Sequence, residues 1–315
     1  MAEKESTEGG NVDGRLPHFY RKPEGGYIRP VFKREGVERL AAGIPVHGDR
    51  TAQSYGLALA ILEYTFGFKW VERHILDEPK NGFLARALGT EEGSNIVMHR
   101  VRHLAEMVLN LTCIKGVESP FEQIANGEIE SGCAELEAGK LLYMRKIPFR
   151  FIWPSGVGGE SFDLEIRFLN GKLVCADTKC KIETTVFSEN GVLNTLNDAR
   201  KRNLPKGYPG AVILKIPQSW HEDSATLSKV GDTCRRFLRG SKRIVAVEIY
   251  SSMVAIRNNI LHDWMMGTEF RSDEHDFDAS LNWRLFTNST EPISNPPTWW
   301  RMASFFPEKP YAAQV

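Results

Sequence analysis

Asp163, Asp177 and Lys179 are the residues of this chain whose types and spacing could do chemistry. They fall in SFDLEIRFLNGKLVCADTKCK, residues 161–181. Two carboxylates and an ammonium on one face of a β-hairpin suit a divalent cation and a water to be activated. Like charges opposite each other on neighbouring strands are destabilising. A bound cation, the Lys179 ammonium or a raised pKa must offset their repulsion. Carboxylate and carbonyl oxygens suit Mg²⁺ or Mn²⁺, and Mg²⁺ binds through one or two carboxylates together with substrate phosphate and water. A cation so held activates water and neutralises charge on a phosphodiester. Lys179 would orient or help deprotonate the attacking water, or stabilise the pentavalent phosphorus. Taken alone, the pattern D…DxK is more often a solvated hairpin face with chance acids, so the surrounding elements matter.

The hairpin positions these groups by alternation. On the first strand Phe162, Leu164, Ile166 and Phe168 alternate with Asp163, Glu165 and Arg167; on the second, Val174 and Ala176 alternate with Cys175, Asp177 and Lys179. Period two means one apolar and one polar face. Between the strands lies Leu169-Asn170-Gly171, and Asn-Gly favours a turn because both residues tolerate positive φ. A two-residue turn would pair Asp163 with Thr178 and Leu164 with Asp177, placing an aspartate beside the apolar face. A three-residue loop with Gly171 left-handed pairs Leu164 with Ala176, Ile166 with Val174 and Asp163 with Asp177. Both faces then keep their character, and a one-residue slip would turn one strand over. The second register is the expected one, with the two aspartates roughly 5 Å apart at Cβ.

Further elements frame the hairpin. Residues 120–146 read as a helix broken near Asn126-Gly127, and 147–153 as a strand. A helix near 192–203 leads to the apolar strand 210–217, and a helix near 225–239 precedes the strand 243–250. The order α-β-β-β-α-β-α-β predicts an α/β (α+β) core. Its central mixed β-sheet has an antiparallel meander and flanking helices, since the last strands read as continuous apolar runs.

That order, with D…DxK on the second and third strands, resembles the PD-(D/E)xK nuclease superfamily, the restriction-endonuclease-like fold. The resemblance covers about residues 120–250 and matches no named subfamily. It implies that Asp163 is the first metal-binding acid and that Asp177-Thr178-Lys179 is the D-x-K triplet, with 13 residues between the aspartates. Phe162 stands where the family motif has Pro, and Asp177 where Glu is usual. The resemblance further implies a metal held by Asp163, Asp177 and the backbone carbonyl of Thr178. It also implies a helix glutamate that binds a second metal or orients a metal-bound water, either Glu137 or Glu135. Glu137 shares its side of the helix with Cys133, Ala134, Leu141 and Met144, which should face the sheet, and is the favoured choice. The activity implied is Mg²⁺- or Mn²⁺-dependent hydrolysis of phosphodiester bonds, in DNA first and RNA second. A homodimer is expected if both strands of a duplex are cut. The alternatives are a nuclease-like subunit that binds nucleic acid without cutting it, in a larger defence or repair complex, and a protein-interaction scaffold.

Composition agrees without deciding. The chain has 315 residues, 42% hydrophobic and 25% charged, with a formal net charge of zero, so nothing global advertises nucleic acid. Local basic clusters do exist: Arg200, Lys201, Arg202 and Lys206 after the hairpin, and Arg235, Arg236, Arg239, Lys242 and Arg243 before the last strand. Either could hold a phosphate backbone, or be a solvated helix face. Five cysteines at irregular spacing suggest reduced thiols and a cytoplasmic protein. No run approaches the ~18 apolar residues of a membrane span, so no membrane partner is expected.

The expected organisation is an N-terminal arm (1–45), partly flexible, a helical lobe (46–119), the nuclease-like core (120–252), and a C-terminal extension (253–315) packed on the core. The lobe carries helix-like runs at 51–66 and 94–113. In the second of these, His99 and His103 have a metal-ligand spacing, but Arg100 stands where HExxH has Glu. The acidic run Asp273, Glu274, His275, Asp276 and Asp278 reads as a solvated loop. Gly156, Gly158 and Gly159 lack a following Gly-Lys-Ser/Thr and read as loop glycines. Trp299, Trp300, Phe305 and Phe306 could stack bases, but aromatics near a chain end more often dock on the core.

Overall fold

Helices come first in the chain. In the computed structural model, α1 (Arg34–Gly43), α2 (Arg50–Phe66) and the short α3 (Phe68–Val71) are followed by a π-helical turn (Glu72–Leu76) and by α4 (Glu91–Leu111). The structure describes residues 30, 32–45, 50–77, 82–84, 91–154, 156–157, 159–167, 173–257, 260–272 and 299–306. Most of the expected N-terminal arm, the turn Leu169–Gly171, Gly158 and the acidic run 273–278 lie outside them. Next come α5 (Glu118–Ala125) and α6 (Ile129–Met144). The break between these two falls at the glycine the sequence indicates: Gly127 has φ 93°, a left-handed conformation that glycine adopts without a Cβ clash.

Six strands then form one mixed sheet: β1 (Phe149–Phe151), β2 (Leu164–Arg167), β3 (Leu173–Cys180), β4 (Gly210–Lys215), β5 (Ile244–Arg257) and β6 (Ile260–Arg271), in spatial order β1-β2-β3-β4-β5-β6. β1, β2 and β3 are antiparallel neighbours, β3, β4 and β5 are parallel, and β6 returns antiparallel to β5. Helix α7 (Glu189–Asp198), continued by a π-helical turn (Ala199–Asn203), links β3 to β4. Helices α8 (Gln218–Glu222) and α9 (Ser224–Arg239) link β4 to β5. Every residue of β4 is buried, as its unbroken apolar run requires of a central parallel strand.

One difference from the sequence reading is the length of the last strands. The run 243–250 was expected to end the sheet; instead β5 continues to Arg257 and pairs with β6 from Ala246↔Arg271 to Arg257↔Ile260. Past the Lys215↔Tyr250 pair β5 has left β4 behind.

The sheet separates two cores. On one side α6 is buried at every position from Gly132 to Leu142. A single cluster of buried side chains runs from Leu57 (α2), Leu104 (α4) and Leu141 (α6) to Phe151, Leu164, Ile166 and Ala176 on the sheet. The helices expected to form a lobe therefore share one core with the sheet. On the other side Phe162, Cys175, Val212 and Leu214 pack with Val192, Leu196 and Phe237 of α7 and α9. The C-terminal aromatics dock on the first core. Trp299 is 4% exposed, Trp300 exchanges hydrogen bonds with Asn110 at 2.7 and 2.9 Å, and Met302 N–H donates to Glu106 at 2.9 Å. No described helix is long and apolar enough to cross a membrane.

Candidate functional site

The site forms where β2 and β3 part. The register is the one that period two selects, Leu164↔Ala176 and Ile166↔Val174, but Asp163 lies one residue before β2. Its carbonyl accepts from Ile152 N–H at 2.8 Å and its own N–H donates to Ala176 O at 3.0 Å. With those main-chain groups used, the Thr178 amide of β3 takes the side chain instead: Thr178 N–H donates to Asp163 Oδ2 at 2.6 Å. The same irregularity turns Phe162 into the α7–α9 core, whereas strict alternation would have put it with Leu164 and Ile166.

Asp177, in the middle of β3, is fully buried at 0% exposure. Its Oδ1 accepts from Asn203 Nδ2 at 2.8 Å, and Lys179 Nζ lies 2.6 Å from its Oδ2. Asn203 is placed by the π-helical turn after α7, whose backbone pairs with the loop before β2 through Ser161 N–H to Asn203 O at 3.1 Å. Lys179 keeps a quarter of its side chain exposed, while the Asp177 side chain is closed off from solvent. Glu135, from α6, adds a third carboxyl. It is 5% exposed and accepts from Gln123 Nε2 of α5 at 2.7 Å.

The electrostatics show one interacting group. Burial raises the Asp163 pKa well above the ordinary range, and the charges of Glu135 and Asp177 add to it, against Lys179 and the Thr178 amide. Burial likewise raises Asp177, opposed by Lys179 and Asn203. Glu135 is pushed up to about 8 by burial, which outweighs the Gln123 hydrogen bond that lowers it; the charge of Asp177 adds a smaller push upward. Burial acts to lower the Lys179 pKa, but Asp177, Asp163 and Glu135 together hold it above the usual lysine value. These carboxyls lack the positive charge that would ionise them all.

Glu137, the glutamate favoured from sequence, is engaged elsewhere. Its carboxylate meets Lys215 Nζ at 2.8 Å, Ser252 Oγ at 2.7 Å, Tyr250 OH at 3.2 Å and His103 Nε2 at 3.7 Å. It does face the sheet, as its neighbours implied, but at the ends of β4 and β5. Residues two apart on a helix point in nearly opposite directions, and it is Glu135 that acts on the aspartates.

The basic clusters divide. Lys201, Arg202 and Lys206 are exposed and neighbour Asn203 in the chain. Arg202 has a loose partner in Asp198, at 3.5 Å. Arg200 is tied to Gly240 O at 2.9 Å and Asn197 Oδ1 at 2.8 Å, and Arg243 holds the Leu204 and Pro205 carbonyls at 2.8 and 2.5 Å; both are fastenings of the fold. Arg235, Arg236 and Arg239 are exposed along α9, with Arg235 bonded to Asp232 at 2.8 Å. His99 and His103 stack with ring centroids 6.2 Å apart, and His103 Nδ1 lies 3.4 Å from Lys140 Nζ. Among the described residues no three His, Cys, Asp or Glu side chains gather closely enough to hold a metal by themselves. Asn203 and Gln123 escape a sequence reading because their only signal is the contact itself.

No protein-family model, no curated protein and no solved structure matches this chain.

Proposed function

We propose that this protein is a metal-dependent nuclease that hydrolyses phosphodiester bonds, in DNA first. The observation that supports it is the placing of Asp163, one residue before β2, next to the Asp177–Lys179 pair of β3, with Glu135 near enough for its charge to act on them and their carboxyl groups short of positive charge. A meander followed by parallel strands with helical crossovers is in keeping with the restriction-endonuclease-like resemblance, though folds host many functions. The donor set suits Mg²⁺ or Mn²⁺: Asp163 and Asp177 would hold the ion with the Thr178 carbonyl, the remaining positions going to water and phosphate oxygens. Such an ion supplies an activated water and neutralises charge on phosphorus.

The chain's own residues do the rest. Asn203 fixes one oxygen of Asp177 and the Thr178 amide fixes one of Asp163, so both carboxylates present a defined free edge. Lys179 pairs with Asp177 in the absence of a cation. Once those carboxylates are otherwise neutralised, burial lowers its pKa and the amine can position the attacking water or take its proton. Glu135 stands behind the acids to orient a water. Lys201, Arg202 and Lys206, exposed and near Asn203 in the chain, would hold the backbone.

The full burial of Asp177 favours one second reading, a nuclease-like subunit that binds nucleic acid without cutting it. Incubation with plasmid, single-stranded DNA and RNA separates the two. Cleavage that requires Mg²⁺ or Mn²⁺ and stops in chelator is expected. Salt-dependent binding with intact substrate supports the second reading, and neither binding nor cleavage sinks both.

A further inference from the structure

A second concentration of charge lies in a cavity between α4, α6, the segment after β3 and the β5–β6 ribbon. Arg100, Lys140, Lys181, Lys215 and Arg301 line it, against Glu130, Glu137 and Glu183. Glu106, outside the lining, also acts on Lys140 and Arg301, and the cations still outnumber the carboxylates. Lys140 and Lys215 are 6% and 5% exposed, and charge so placed attracts an anion more strongly than at the surface. Burial acts to lower the Lys215 pKa, but Glu137 holds it above the usual lysine value, so this ammonium stays charged. Glu137 is itself shared, since the Ser252 and Tyr250 hydroxyls also reach its oxygens, at 2.7 and 3.2 Å. Glu130 differs. Its Oε1 is buried and meets no hydrogen-bond donor among the described residues. A buried oxygen left without a partner is costly, and burial raises the Glu130 pKa, so this carboxyl is suited to sharing a proton with whatever fills the cavity.

We propose that this cavity binds inorganic phosphate as the free ion, its oxygens facing the lysine and arginine side chains and its proton shared with Glu130. The cavity encloses about 80 Å³, room for on the order of six waters. The oxygens of a phosphate ion are each about the size of a water and fit that space, which leaves little for an organic group bonded to one of them. Hydrogen phosphate keeps a proton at neutral pH, so it offers acceptors to the cations and a donor to a buried carboxylate. A lining of cations with one unpartnered carboxylate oxygen asks for both. Sulfate carries no proton there and meets Glu130 as like charge against like. Asp163, Asp177, Lys179 and Glu135 are not among the lining residues, so the proposal stands apart from the nuclease reading.

Isothermal titration calorimetry of the full chain in chelator tests it, with inorganic phosphate, sulfate and glycerol 3-phosphate as probes. Phosphate should bind at least about ten-fold more tightly than either of the others. Arg100→Gln and Lys181→Gln, both at half-buried positions, should each weaken phosphate about ten-fold, and Lys179→Gln should leave it unchanged. Glu130→Gln, whose amide can donate to either ion, should bring phosphate and sulfate within about three-fold of each other. Circular dichroism first shows that each variant folds, and if Arg100→Gln does not, Lys181→Gln decides. No binding of phosphate, sulfate or glycerol 3-phosphate bound as tightly by the wild type, discrimination kept in Glu130→Gln, or binding lost in Lys179→Gln and kept in Lys181→Gln each overturns it.

Discussion

Asp177 is the residue on which the site turns, and its neighbours set testable limits. Asn203→Ala removes the donor to Oδ1 and leaves a buried carboxylate oxygen without that bond. Such a loss costs about 1–3 kcal/mol, so denaturant titration should show lower stability in chelator, partly recovered in Mg²⁺. Glu135 gives a pH signature whose sign follows from its raised pKa. The folded state holds the Glu135 proton up to about pH 8, while the unfolded chain releases it near its ordinary value of about 4.3. Between those limits the native state binds more protons, so stability falls as pH rises. Melting in chelator should therefore drop between pH 5 and 8, and Glu135→Gln should flatten the drop, by at least ~2 °C. Mg²⁺ should raise the wild-type melting temperature more at pH 8 than at pH 5. An unchanged pH profile in Glu135→Gln would show that this carboxyl does not carry the strain.

At the scale of elements, α6 is the part most sensitive to small change. A Cβ on Gly132 would lie 2.8 Å from the Pro120 carbonyl oxygen and 2.5 Å from Ile124 Cγ1. Gly132→Ala should therefore destabilise by about 1–3 kcal/mol through overpacking, although alanine is the better helix former. Denaturant midpoints measure it, and a stabilised variant would contradict the packing. β1 and β2 are joined by the buried pair Arg150–Glu165 at 2.6 Å. Glu165→Ala should cost about 3–5 kcal/mol by removing the buried counter-charge of the guanidinium. The buried pair also shows what was legible in the sequence. The period-two pattern of 162–168 and 174–179 specified the hairpin register, because only one register keeps both faces coherent. It called the polar face by its residue types, but Glu165 is 3% exposed, since Arg150 lies opposite it and the α7–α9 core covers that face. Strand β6 was illegible because a ribbon beyond the central strands has no apolar run to announce it. The choice between Glu135 and Glu137 depended on where along the sheet α6 lies, a tertiary fact that helical periodicity does not contain.

For the whole molecule, neutrality overall and basic clusters locally mean that, under the proposed function, nucleic acid would meet one surface. Lys201, Arg202 and Lys206 neighbour Asn203 in the chain, whereas Arg235, Arg236 and Arg239 lie along α9. If the first group holds the phosphate backbone, Lys201→Gln with Lys206→Gln should weaken DNA binding and reduce the salt slope by roughly 1 to 2, and Arg239→Gln should leave both unchanged. Fluorescence anisotropy across a salt series reads this. The most direct test of the central claim is single-turnover cleavage by the wild type beside Asp177→Ala and Lys179→Ala, each confirmed folded, in Mg²⁺ and in chelator. The rate should be at least about 10²–10³-fold lower in either variant, the scale of losing one electrostatic contributor, with no wild-type cleavage in chelator. Cleavage that persists in both variants would contradict it.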